Sequence, residues 1–128
     1  YNLCTAEGII IPMLDARRDE VFTAVYKFTD GVIEEITPPC VMTTDEICSK
    51  YADCGAWITG DGAIIHKDEF FGKFSFAPTH LSEIRASALA TASYIKAKNN
   101  ETCDYNLVEP LYLRKSQAER EYEGRKEK

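Results

Sequence analysis

The chain has no apolar run long enough to cross a bilayer as a helix. Its longest apolar stretches, Gly8–Leu14 and Ser87–Ile95, are broken by Pro12 and by hydroxyl side chains. Both fall well short of the roughly 20 residues such a helix needs. Histidine is scarce. The two present, His66 and His80, form no H-E-x-x-H or H-x-x-x-H pair, so no zinc motif is visible, and both read as surface or loop side chains. Cysteine occurs five times, at Cys4, Cys40, Cys48, Cys54 and Cys103. The odd number and the lack of C-x-x-C spacing argue against a disulfide framework or a zinc ribbon, leaving reduced thiols of a cytoplasmic protein as the economical reading. Cys48 sits among Asp45, Glu46 and Ile47, which disfavours a reactive thiolate. Positive charge is also short. Fifteen Lys and Arg face 21 Asp and Glu, for a net charge of −6 and a pI near 4.9. Such a chain is a poor candidate for charge-driven binding to nucleic acid on its own. No Gly-x-Ser-x-Gly elbow, Walker pattern or complete dinucleotide fingerprint occurs.

What remains is an ordinary globular composition, 128 residues with 45% hydrophobic and 28% charged. That is enough for one domain with a real core. Ile9–Leu14 reads as a buried strand with an irregularity at Pro12. A polar turn, Asp15–Glu20, leads into Val21–Phe28, which is β-branched and aromatic on both faces and predicts a central strand. Thr29-Asp30-Gly31 predicts a hairpin turn. Val32–Ile36, with Val41-Met42, predicts a third strand that Pro38-Pro39 places at an edge or bulge. Thr43 and Glu46 form a capping box for a helix ending at Cys54-Gly55. Ala56–Thr59 predicts a fourth strand, Gly60-Asp61-Gly62 a loop, Ala63–Phe71 a short helix and Lys73–Ala77 a fifth strand. After a loop at Pro78–Leu81, a helix runs to about Lys98. Ile84, Ala88, Ala92 and Ile95 share its apolar face, and its alanines suggest close packing on the sheet. Val108–Leu113 is a last extended segment, placed at an edge by Pro110. Hairpin-connected strands followed by crossover units imply an α/β domain, a mixed sheet with helices packed on it.

Two polar clusters stand out. Asp15, Arg17, Arg18, Asp19 and Glu20 flank a core strand. Asp15 could hold a metal or act as a base and Arg17 could clamp a phosphate, but no His or Lys partner completes an acid–base set. A structural or interface role fits them better. Gly60, Asp61 and Gly62 follow a strand, where α/β folds place ligands, so they are weak candidates for contacting a nucleotide phosphate. A plain tight turn is the competing reading. No catalytic residue and no metal ligand is assigned.

Pro12-Met13-Leu14-Asp15-Ala16-Arg17-Arg18-Asp19-Glu20-Val21-Phe22 resembles the "hydrophobic-hydrophobic-D-A-R-x-x-E-V-Y" stretch of the bacterial TsaB (YeaZ) family. Val108–Glu119 is similar to that family's closing "x-P-x-Y-L-R" motif. Between them, Ile58–Ala63 resembles its strand and Gly-rich turn, and Ala86–Ala92 its Ala-rich helix. The likeness runs from about Ile9 to Glu119. It implies a five-stranded mixed sheet forming one lobe of an actin/Hsp70 ATPase-like (ribonuclease H-like) fold, the C-terminal one of two. Residues 1–8 would then be the tail of a preceding inter-lobe helix, 9–118 the lobe and 119–128 a charged flexible tail.

The resemblance further implies a non-catalytic scaffold in threonylcarbamoyladenosine modification of tRNA. The partners it implies are TsaD, the metal- and nucleotide-using enzyme met mainly through the N-terminal lobe, and the ATPase TsaE. Transfer RNA would be reached only indirectly, and ATP or ADP would be bound only within the complex. Asp15, Arg17 and Glu20 would order the turn at the inter-lobe cleft, and Arg114 would anchor the C-terminal segment or meet a partner. A lobe without its sister would expose apolar surface, so self-association is expected. The rival expectation is a nucleotide-binding or hydrolytic domain of the same superfold, using Asp15 and Gly60–Gly62.

Overall fold

A computed structural model describes residues 1–3, 6–114 and 122. Strand β1 (Gly8–Asp15) is the centre of a five-stranded sheet. It pairs antiparallel with β2 (Glu20–Thr29) and parallel with β4 (Trp57–Thr59). The outer strands are β3 (Val32–Thr43), antiparallel to β2, and β5 (Ser75–Phe76), parallel to β4. The order β3-β2-β1-β4-β5 is therefore mixed.

Local chemistry explains most of this. Asp30 and Gly31 both adopt positive φ, 50° and 81°, giving the two-residue turn that matches strand twist between β2 and β3. Pro38 and Pro39 lie in β3 at the sheet edge, where missing N–H groups cost least. The β2–β3 register shifts twice nearby, on either side of Val25. Pro12 leaves the β1–β2 register unchanged; its carbonyl accepts a bond from Thr23 Oγ1 at 2.7 Å.

Helix α1 (Thr44–Tyr51) starts on the expected capping box. Glu46 N–H donates to Thr43 Oγ1 at 3.2 Å, and Thr43 N–H donates to Glu46 Oε2 at 2.9 Å. The Thr43 N–H holds the Glu46 carboxyl below its ordinary pKa, with smaller help from the Lys50 charge and the Thr43 hydroxyl. Burial, with Glu35 nearby, pushes the Tyr26 phenol up.

Three expectations give way beyond β4. Gly60–Gly62 is not a free loop, because Asp61 and Gly62 already belong to α2 (Asp61–Ile65). The single helix expected over Ala63–Phe71 is two, α2 and α3 (Lys67–Phe70), joined at His66. The loop expected at Pro78–Leu81 contains a short helix, α4 (Thr79–Ser82), and the long helix after it starts only at Ala86, as α5 (Ala86–Lys98), with Glu83 and Arg85 extended. The Asn2 side-chain amide donates to the carbonyls of Leu81, near the end of α4, and Glu83, just past it, at 3.1 and 2.7 Å.

The core lies on one face of the sheet. Ile11, Met13, Val21, Val25, Met42 and Ile58 meet Ile47 of α1, Ala63 of α2 and Phe70 of α3. Phe70 also stands edge-on to Phe74, with ring centroids 5.5 Å apart. Helix α5 does not build this core as expected. Ala88, Ala92 and Ile95 are half-buried, Ile84 is 84% exposed, and no residue of α5 is buried. Val108–Tyr112 is exposed, Leu113 is half-buried, and the segment forms no strand. Pro110 supplies no amide for pairing, and none of the described strands pairs with this segment. Residues 2–3, expected as the end of a helix, form a turn closed by Ala6 N–H donating to Leu3 O at 2.8 Å. Apart from Tyr122, the expected tail at 119–128 lies outside the described residues.

Candidate functional site

The turn between β1 and β2 is unusual in its backbone. Arg17, Arg18 and Asp19 are three consecutive non-glycine residues at positive φ, 63°, 58° and 59°. Each costs of order 1 kcal/mol unless its surroundings hold it. Here the surroundings do. Arg17 N–H donates to Asp15 Oδ1 at 3.0 Å, Ala16 N–H to Glu20 O at 2.9 Å, and Thr44 N–H to Asp19 O at 3.0 Å. Arg114 closes the turn from 94 residues away, pairing its guanidinium with Glu20 and donating to Ala16 O at 2.9 Å. Asp15, Glu20 and Arg114 thus converge on one turn, with Arg17 exposed at its tip.

Gly60, Asp61 and Gly62 come to the same place from β4. Gly60 has φ of 100°, and a Cβ there would stand 2.0 Å from Met13 O. A Cβ on Gly62 would stand 3.1 Å from both Met13 Cβ and Val21 Cγ1. These glycines permit close approach to β1, a demand that accounts for them without any ligand. Asp61 Oδ1 accepts from Gly62 N–H at 2.8 Å and from Asp15 N–H at 3.3 Å. A carboxylate therefore occupies the donors that a phosphate would need.

The residue that sequence reasoning misplaced is His66. Expected at the surface, it is 6% exposed, because the α2–α3 joint turns it inward beside the β1–β2 turn. Its Nε2 stands 3.5 Å from Asp15 Oδ1 and its Nδ1 3.8 Å from Glu69 Oε1. Asp15 therefore does have the histidine neighbour that no local pattern showed. Asp19, His66 and Glu69 place their polar atoms within 4.8 Å of one another. The signal that could have found part of this is His66-x-x-Glu69, whose i,i+3 spacing puts both on one helix face. His80 is exposed and remote from the cluster in sequence. Cys40, Cys48, Cys54 and Cys103 are free thiols. Cys48 Sγ has Lys73 Nζ at 3.5 Å, a basic neighbour its acidic sequence context concealed. No described helix is long and apolar enough to cross a membrane.

No protein-family model matches the chain. Solved structures share its fold. A protein with similarity to peptidase YeaZ, from Pseudomonas aeruginosa, superposes with TM-score 0.67 at 18% identity, over 83% of this chain and 49% of that one. YeaZ from Pseudomonas aeruginosa gives TM-score 0.65 at 18% identity, over 82% and 49%. The mixed five-stranded sheet with its helices is thus the fold of these YeaZ structures. In sequence, the chain is 31% identical over 119 residues to the tRNA threonylcarbamoyladenosine biosynthesis protein TsaB of Bacillus subtilis. That match covers 88% of this chain and 50% of the relative. The chain is TsaB/YeaZ-like, and it spans about half the length of the relatives it matches.

Proposed function

We propose that the chain is a non-catalytic lobe of a TsaB-like partner subunit acting in threonylcarbamoyladenosine modification of tRNA. The observation that carries this is the 31% identity to Bacillus subtilis TsaB over 88% of the chain. The polar turn supports it. Two of its carboxylates are engaged by the chain itself, Asp15 by the Arg17 N–H and Glu20 by Arg114, and the neighbouring Asp61 accepts from the Gly62 N–H. That suits a turn held in shape better than one that grips a nucleotide. The chemistry then belongs to TsaD, supported by TsaE, in the cytoplasm. Nucleotide is bound only within the assembly, and tRNA is met through the partner rather than by this acidic surface.

A hydrolytic reading has one observation in its favour, the buried His66 between Asp15 and Glu69. Yet no hydroxyl or thiol among the described residues hydrogen-bonds that imidazole, so no activated nucleophile is assembled there. The deciding experiment is disruption of the encoding gene, with tRNA nucleosides quantified by mass spectrometry. Loss of most threonylcarbamoyladenosine is expected; an unchanged level overturns the proposal.

A further inference from the structure

We propose that His66, Glu69 and Asp19 form a binding site for one divalent transition cation, Zn2+ fitting best, with Asp15 orienting the imidazole. The three ligands come from separate places: Asp19 from the β1–β2 turn, His66 from the α2–α3 joint and Glu69 from the first turn of α3. Their candidate ligand atoms lie within 4.8 Å of one another. Two ligands at about 2.1 Å from one ion in tetrahedral geometry stand about 3.4 Å apart. The carboxylates therefore have to swing inward by about an ångström. Asp19 and Glu69 are both exposed, so rotation about their side-chain bonds supplies this.

The imidazole is the fixed member and the independent pointer to a ligand. It is buried, and its Nε2 has no hydrogen-bond partner. An unsatisfied buried polar atom is costly and calls for an explanation. A cation on Nδ1, the nitrogen nearer Glu69, provides one. Nε2 then carries the proton and points it at Asp15 Oδ1, now 3.5 Å away. A carboxylate behind a metal-bound histidine fixes the ring and raises its basicity. Asp15 is itself held by the Arg17 N–H.

Charge points the same way. Among the described residues no Lys or Arg forms an ion pair with Asp15, Asp19 or Glu69, whereas the neighbouring Glu20 takes Arg114. Three carboxylates therefore gather round one imidazole without a cation between them, and a divalent ion removes that repulsion. One nitrogen and two oxygens suit Zn2+ better than Ca2+, and three protein ligands leave room for water or a partner's group. The bound ion would clip the strained turn at Arg17–Asp19 to α3.

Tag-free protein is dialysed against Zn2+, with Co2+ as a spectroscopic probe of ligand type. One Zn2+ per chain is expected, with a Co2+ spectrum lacking a thiolate charge-transfer band. Glu69→Gln and Asp19→Asn, both at exposed positions, should each weaken binding at least about tenfold. Asp68→Asn, on the adjacent exposed residue, should leave binding unchanged. Zn2+ should raise the melting temperature of the parent chain and not that of Glu69→Gln. Substoichiometric binding, a thiolate band, or an affinity equal to the parent's in either ligand variant overturns the site.

Discussion

Helices α1 and α5 make a useful contrast. Both carry apolar residues at helical spacing, yet the two are held in different ways. α1 begins on a complete capping box and buries Ile47 fully against β-strand residues. α5 begins at Arg85 with no side-chain cap, buries nothing fully, and leaves Leu89 and Tyr94 each 64% exposed. Its order rests on local terms: a run rich in alanine, a Thr91 hydroxyl bonded to Ser87 O at 2.9 Å, and Lys98 over the Tyr94 ring. Periodicity marks a face in both helices. Only the partner offered by the tertiary structure makes that face a source of stability.

Four substitutions would break or sharpen this contrast. The largest effect is expected where β4 meets β1. Gly60→Ala forces a Cβ to 2.0 Å from Met13 O at a positive φ. Destabilisation of about 4 kcal/mol or more is expected, measured by urea unfolding, or failure to fold. Next comes a paired test of a covered helix position, on α3, against the uncovered α5. Phe70→Ala removes a fully buried ring and should cost about 3–5 kcal/mol. Leu89→Ala on α5 should change stability by no more than about 0.5 kcal/mol. Similar losses at both positions would show that α5 is covered in solution.

The smallest effect is expected at the α1 cap. The Glu46 carboxyl is held below its ordinary pKa by the Thr43 N–H. A depressed folded pKa contributes stability that is present above the unfolded value and lost as pH falls through the folded one. Glu46→Gln should therefore be less stable than the parent near neutral pH. The gap should narrow as pH falls through the acid range towards about pH 3, followed by denaturant titration at several pH values. A gap that is constant with pH would assign the effect to something other than the charge.

Much of the first half of the fold was legible because its signals are local. The Asp30-Gly31 turn, the Thr43/Glu46 box and the edge placement of Pro38-Pro39 each follow from backbone chemistry that nearby residues settle. The second half was less legible for an equally physical reason. Breaks at His66 and at Glu83–Arg85 depend on what those backbones touch, including Asn2, 79 residues from Leu81. The candidate site divided in the same way. Its turn, Asp15–Glu20, was visible as a polar cluster beside a strand. Arg114 was singled out only through a family motif. His66 and Glu69 lay in a segment read as an unremarkable helix.

The sequence by itself determined the strand order along the chain, the hairpin, the first helix and the acidic balance that argues against direct nucleic-acid binding. These rest on propensity, capping and total charge, which neighbours in sequence decide. The tertiary structure alone decided which glycines must be glycines, which helix faces are covered, and that a histidine meets three carboxylates. Those outcomes depend on close approach between β1, β2 and the α2–α3 joint, distances that no spacing along the chain can express.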